Sequence, residues 1–212
     1  MTDIVAGVEV PDTQAVAEAT RLARETTSPL IFHHSRRVFF FSSILARGRG
    51  LEPDPELLYL SAIFHDAGLL RPYGQTQQRF ELDGADHALA FLQERAFPED
   101  AAQVVWTAIA LHTTPGIPMR LGPEVAATNL GVVADAVGIG LDEVHPDQVA
   151  EVVASEPRED FEDGFLQAFV EGLKDRPDTT YGTVNADVLE RFVPDFRRTN
   201  MVDRILHSPW AK

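Results

Sequence analysis

Prolines stand at the head of one apolar-periodic segment after another in this chain, and glycines close several of them, which leaves helices as the main element it can form. Pro29, Pro55, Pro98, Pro123, Pro146 and Pro194 each sit at or near such a start, where the fixed φ suits a first helical turn and the missing N–H costs nothing. Asp12 or Thr13 offers a cap to a helix through TQAVAEATRLARE, in which Val16, Ala19, Leu22 and Ala23 recur at the spacing of one face. The second helix, LIFHHSRRVFFFSSILARGRG, ends at Gly48 and Gly50, and PDPELLYLSAIFHDAG stops at Gly68. Further helices are predicted over about Gly84 to Ala96, Pro98 to His112, Pro123 to Val137, Pro146 to Ala154, Asp160 to Leu173 and Pro194 to Leu206. No alternating pattern persists long enough to predict a strand. Residues Leu69 to Phe80, with Pro72 and Gly74, lack periodicity and read as an ordered loop. SEPREDFEDGF, near Ser155, reads as a solvated helix start whose carboxylates the helix dipole favours, in preference to a flexible connection. With no internal repeat and no linker composition, the expected fold is all-α, a single domain over 1–212.

Composition narrows the chemistry. The chain is 44% hydrophobic and 24% charged, ordinary for a globular protein and sufficient for a core. It has no cysteine, so a transition metal would be held by imidazole and carboxylate. With 18 Lys and Arg against 33 Asp and Glu, the formal net charge is -15, which repels nucleic acid and anionic membrane surfaces. The N-terminal MTDIVAGVEVPDTQ has no basic segment followed by an apolar one, and VFFFSSILA is too short to span a bilayer. A cytoplasmic protein acting on a small molecule, with neither nucleic acid nor membrane as partner, is the expectation.

Within this helical pattern, LLYLSAIFHDAGLL runs through apolar residues and then sets His65 beside Asp66. Neighbours on a helix point about 100° apart, so both reach one metal only near a helix end or groove, and further ligands must come from other elements. FHHSRRV on the preceding helix supplies a donor, since antiparallel neighbours bring His34 opposite His65. His33 is adjacent, and helical geometry alone leaves open which of the two faces inward. Arg37, three residues after His34, lies on the same face as a partner for a carboxylate. Downstream, NLGVVADAVGIG isolates Asp135 in an apolar run, where an unpaired charge is costly and needs a partner such as a metal or an arginine.

His, then His-Asp, then Asp on successive helices resembles the HD superfamily of metal-dependent hydrolases. The resemblance implies a helical bundle of the HD-domain type, with a metal-binding core over about 28–140 and C-terminal helices over about 146–206 packing on it. It also implies that His34, His65, Asp66 and Asp135 bind one divalent metal, for which this donor set suits Zn, Fe or Mn. HHSRRVF, FHDAG, FELDGADHALAFL, WTAIALHTTPGIP and GVVADAVG are similar in order and form to cyanamide hydratase-like HD proteins. The chain departs from that pattern at His33 and Ala136, where asparagines are frequent. Leu69 stands where many HD phosphohydrolases have a lysine to meet a phosphate oxygen, and Arg71 is the nearest cation after it.

A cation held by two imidazoles and two carboxylates can lower the pKa of a bound water toward neutrality, with Asp66 serving both as ligand and as part of the catalytic apparatus. His112, at the end of its helix, is the candidate for proton transfer, and a histidine that merely stabilises a helix C-terminus is the structural alternative. Phe64, Phe80 and Trp106 read first as core aromatics and only second as walls of a pocket. The expected activity is hydrolysis or hydration of a small molecule, with cyanamide hydration the nearest named reaction. The alternatives are a phosphohydrolase of nucleotides or phosphate monoesters and a non-catalytic metal-binding domain.

Overall fold

The structure, a computed structural model, describes residues 3–74 and 76–210. Gln75 of the expected loop and both ends of the expected 1–212 domain lie outside them. A short antiparallel hairpin, β1 Ile4–Val5 and β2 Val8–Glu9, comes first. Ala6 and Gly7 form its turn at φ 52° and 74°, the left-handed values that a two-residue hairpin turn demands. Strands of two residues carry no alternation, so the hairpin is invisible to the periodicity that predicts the helices.

Ten α-helices follow among the described residues. They are α1 Gln14–Thr26, α2 Pro29–Gly48, α3 Pro55–Phe64, α4 Phe80–Glu94, α5 Glu99–Leu111, α6 Pro123–Val137, α7 Pro146–Ser155, α8 Phe161–Leu173, α9 Ala186–Phe192 and α10 Met201–Leu206. The all-α fold expected from the sequence is therefore the one observed, with a single two-stranded sheet added. Side chains cap the first three helices: the hydroxyl of Thr13 accepts from the Val16 N–H, that of Ser28 from Ile31, and the Asp54 carboxylate from Glu56 and Leu57. Each such cap contributes about 1 kcal/mol. None of the described helices is long and apolar enough to cross a membrane.

Three expectations are corrected. α4 begins at Phe80, well before Gly84, because Gly84 is an interior helix residue placed for close approach. A Cβ there would come within 3.2 Å of the Phe64 and His65 carbonyl oxygens, so the glycine lets α4 lie directly on the end of α3. The helix expected over 194–206 contracts to α10, since Asp195 adopts φ 65° and Asn200 caps the helix at Met201 with its side chain. The acidic stretch is only partly solvated: Glu162 and Asp163 occupy the first turn of α8, but Glu156 is buried and pairs with Arg36 and His33.

α2 is the central element. It packs on α3 and α6, while α5 packs on α4 and α6, and its buried residues occupy every side of the helix, including Phe39, Phe40, Phe41 and Leu45. Burial of each such side chain contributes about 1.5–3 kcal/mol, which fixes how α2 is rotated. Gly131 allows α6 to approach it, because a Cβ at that position would overlap the Ser42 hydroxyl and the Val38 carbonyl. A second, smaller cluster of Leu69, Phe80, Phe169, Leu173 and Leu189 joins α8 and α9 to the turn after α3. These two clusters bring the ends of α3 and α5 and the N-terminal part of α2 to one place.

Candidate metal centre

His34 projects from α2 toward the end of α3, where the helix gives way at His65 to a 3-10 turn over Ala67–Leu69. This break matters. Asp66 leaves helical geometry at φ -98°, ψ 4°, so adjacent side chains that a continuous helix would splay apart both face His34. One ligand atom from each of His34, His65 and Asp66 lies within 4.8 Å of the others, and all three residues are essentially inaccessible to solvent. The Nε2 atoms of His34 and His65 are 3.1 Å apart, and Asp66 Oδ2 is 3.4 Å and 3.1 Å from them. His112, at the C-terminal end of α5, points Nε2 into the same space, 3.6 Å from Asp66 Oδ1.

The remaining hydrogen bonds fix the tautomers. His65 Nδ1 donates to the Ala62 carbonyl at 2.8 Å and His112 Nδ1 to the Ile109 carbonyl at 2.6 Å, acceptors that require an N–H. His34 Nδ1 donates to Asp135 Oδ2 at 2.6 Å. Each neutral ring therefore presents an unprotonated Nε2 to the cluster. Asp66 approaches the imidazoles without hydrogen-bond geometry, and both of its buried oxygens are left unpartnered. Three lone pairs and a carboxylate converging in a buried site is an arrangement that a bound cation satisfies. The residues present thus fit a divalent metal, and imidazole with carboxylate is a donor set for Zn, Fe or Mn.

The electrostatics agree. Burial alone would push the Asp66 carboxyl up, but His65, with His112 and His34, holds it well below the usual carboxylate range. Burial disfavours a charged His65, yet the adjacent Asp66 carboxylate outweighs it and raises that ring. His34 is pushed down, chiefly by burial, against the opposing pull of Asp135.

The structure separates the two adjacent histidines. His33 turns away and pairs through Nδ1 with Glu156 at 2.7 Å, while His34 enters the cluster. Asp135 is placed on the other edge of the His34 ring from His65 and Asp66. Its Oδ1 accepts from Arg37 Nε at 2.7 Å, and its Oδ2 accepts from Arg37 Nη2 at 2.9 Å as well as from His34. Arg37 thus meets a carboxylate on its own face, as its position on the helix suggested. Arg71 is exposed, so the turn after the His-Asp pair directs no cation at the site.

Two groups in the site have no counterpart in the sequence reading. Glu81, fully buried, accepts from Arg79 at 3.0 Å, from Asn185 at 2.9 Å and from the Thr113 hydroxyl. Burial would raise its carboxyl, but Arg79, His112 and Thr113 keep it below the usual range. Among Arg79, Asp83 and Asp86, nothing local in the sequence distinguishes Glu81 as the carboxylate that is buried in the site. The other group is the Phe161, Phe165 and Phe169 ladder of α8. Phe165 packs 4.7 Å from the His34 ring and 5.0 Å from Phe169. Of the aromatics considered from sequence, Phe80 stands 5.5 Å from the His112 ring. Phe64 packs instead on His87 and Phe91, and Trp106 bonds to Asp86.

A cavity of about 620 Å³ opens from His34, His65, Asp66 and His112 between α6 and α8. No curated protein matches the chain. The profile of the HD domain matches residues 31–154, more than half of the 212, and covers nearly all of α2 to α7 with every histidine and aspartate of the cluster. With that match and a buried donor set suited to a divalent cation, the chain belongs to the HD domain family, a superfamily of metal-dependent hydrolases.

Proposed function

We propose that this protein adds water to a small uncharged molecule, a nitrile of the cyanamide type being the best match, at a metal held by His34, His65 and Asp66. The observation that carries the reading is the convergence of the Nε2 atoms of His34, His65 and His112 on the unpartnered oxygens of Asp66. A divalent cation there supplies Lewis acidity and lowers the pKa of water. Asp135 holds the His34 ring in the tautomer that leaves Nε2 free, the role an outer carboxylate has behind a metal-ligating histidine. Hydration of a nitrile joins the water oxygen to carbon as a C=O and moves both water protons to nitrogen, the first of them as the C–O bond forms. His112 Nε2 takes up that proton and returns it, since the Ile109 carbonyl keeps the ring's other proton on Nδ1.

The arginines near the site support an uncharged substrate over a phosphate ester. Arg37 is committed to Asp135, Arg79 to Glu81 and Arg176 to Asp83, and Leu69 stands in the turn where a phosphate-binding lysine would. The test is metal analysis of the purified protein followed by turnover of cyanamide, small nitriles and nucleoside monophosphates. Close to one equivalent of transition metal is expected, with His65→Ala and Asp66→Ala losing both metal and turnover and His33→Ala keeping both. Full activity after exhaustive chelation would overturn the proposal, and turnover of the monophosphates alone would replace it with the phosphohydrolase reading.

A further inference from the structure

The cavity that opens from the cluster is far larger than cyanamide. At roughly 30 Å³ for each water-sized group, a molecule of three non-hydrogen atoms would leave most of the 620 Å³ unfilled. Its walls are apolar: Leu130 and Val133 of α6 on one side, Phe165, Leu166 and Phe169 of α8 on the other. The polar side chains among them are turned inward. Asn129 Nδ2 donates to the His112 carbonyl, while Asn185 Nδ2 and the Thr113 hydroxyl donate to Glu81. Arg49 is the one permanent cation among the described residues that line the cavity, and both oxygens of Glu143 hold its guanidinium, at 2.9 and 2.5 Å. At the mouth, Val137 and Ile139 are 68% and 63% exposed, the kind of apolar rim that marks a ligand entrance.

We infer that the substrate is a neutral molecule with two unlike ends: a small nitrile-type head that reaches the cluster, and an aryl or similarly flat hydrocarbon body that fills the chamber against Phe165 and Phe169. The inference rests on the hydration reading above and extends it to the substrate's body. Phe165 decides the shape, because its ring lies against His34 at 4.7 Å and against Phe169 at 5.0 Å. A flat ring attached beside the reacting head therefore meets an aromatic wall as soon as it leaves the metal site, and offset or edge contacts between rings favour it. A phosphate or carboxylate on the body would be buried among apolar walls without a free cation, which is strongly unfavourable.

Hydration of phenylcyanamide gives phenylurea, and hydration of cyanamide gives urea, so the two ureas share a head and differ only in the body. Calorimetric titration of the purified protein, as isolated and after loading with Zn, with urea, phenylurea and phenyl phosphate tests the inference without turnover. Phenylurea is expected to bind at least tenfold more tightly than urea and than phenyl phosphate. Ala136→Phe, which fills the chamber from α6, is expected to erase that preference while keeping the metal, and Val133→Asn to reduce it. Equal binding of the two ureas, tighter binding of phenyl phosphate, or an undiminished preference in both folded variants would overturn the inference. Metal content measured on the same samples keeps the two ideas apart. A protein that takes up no metal yet prefers phenylurea defeats the hydration reading and leaves the chamber's specificity standing.

Discussion

Asp135 reaches the cluster through the far edge of the His34 ring. It shares its two oxygens between His34 Nδ1 and the guanidinium of Arg37, so truncation has two separable consequences. Asp135→Ala is expected to weaken metal binding 10- to 100-fold, the usual effect of removing an orienting carboxylate. It also leaves the wholly buried Arg37 unpaired at a cost of about 3–5 kcal/mol. Competition titration with a metal indicator and thermal melts read the two effects, and complete loss of metal, as in His65→Ala, would identify Asp135 as a ligand. If His112 is the proton carrier proposed above, His112→Ala should retain metal and fold yet lose roughly 10²- to 10⁴-fold in turnover. Near-native turnover with metal bound would leave it only the role of ending α5. Glu81 has its pKa depressed below its usual 4.5. Its ionised form therefore stabilises the fold above that pH, and the contribution is lost as the pH falls through the lowered value. Glu81→Gln should cost about 1–3 kcal/mol at pH 7 and flatten the loss of stability on acidification, measured by denaturant melts from pH 7 to 3.

Among the elements, the α2–α6 contact sets the geometry of the cluster, since α2 carries His34 and Arg37 and α6 carries Asp135. Gly131 is where the two helices touch most closely. Gly131→Val forces a branched side chain onto Ser42 and the Val38 carbonyl, and is expected to destabilise by about 3 kcal/mol or more, at the upper end of overpacking effects. Because the helices must part to accommodate it, the loss of stability should be accompanied by weaker metal binding. Melts and metal titration of this variant check both, and unchanged metal affinity would show that the cluster does not depend on this spacing. At α3 the decisive feature is where the helix stops. Its switch to a 3-10 turn after His65 aims two sequence neighbours at one point, helped by Gly84, which lets α4 press on that end.

Across the whole molecule, the histidine-aspartate cluster and one wall of the pocket lie in the matched stretch, and the other wall comes from beyond it. The HD domain match ends at residue 154, but Phe165, Leu166 and Phe169 of α8 and Asn185 before α9 complete the chamber. A match to the family therefore speaks for the chemistry at the cluster more directly than for the substrate. The second hydrophobic cluster, which ties α8 and α9 to Leu69 and Phe80, holds that wall against the turn that presents Asp66.

Local signals in the sequence determined the helices: prolines, caps and a 3.6-residue period act within a few residues, so α1 to α8 were legible, α4 with its start displaced. The His-Asp pair and the isolated Asp135 were legible for a related reason, as polar groups in apolar runs that require partners. The hairpin and α9 were not legible, because neither left a usable period, and α10 was legible only within a longer expected helix. Only the tertiary structure decided that His34 and not His33 faces the cluster, because the rotation of α2 depends on all the surfaces packed around it. It also decided that Asp135 stands behind His34, that Glu81 joins Thr113 and Asn185, and that an aromatic ladder from a distant helix walls the cavity. Each of these is a contact between residues far apart in the chain, and the direction in which a side chain must point is set by its partner's position, which no local pattern encodes.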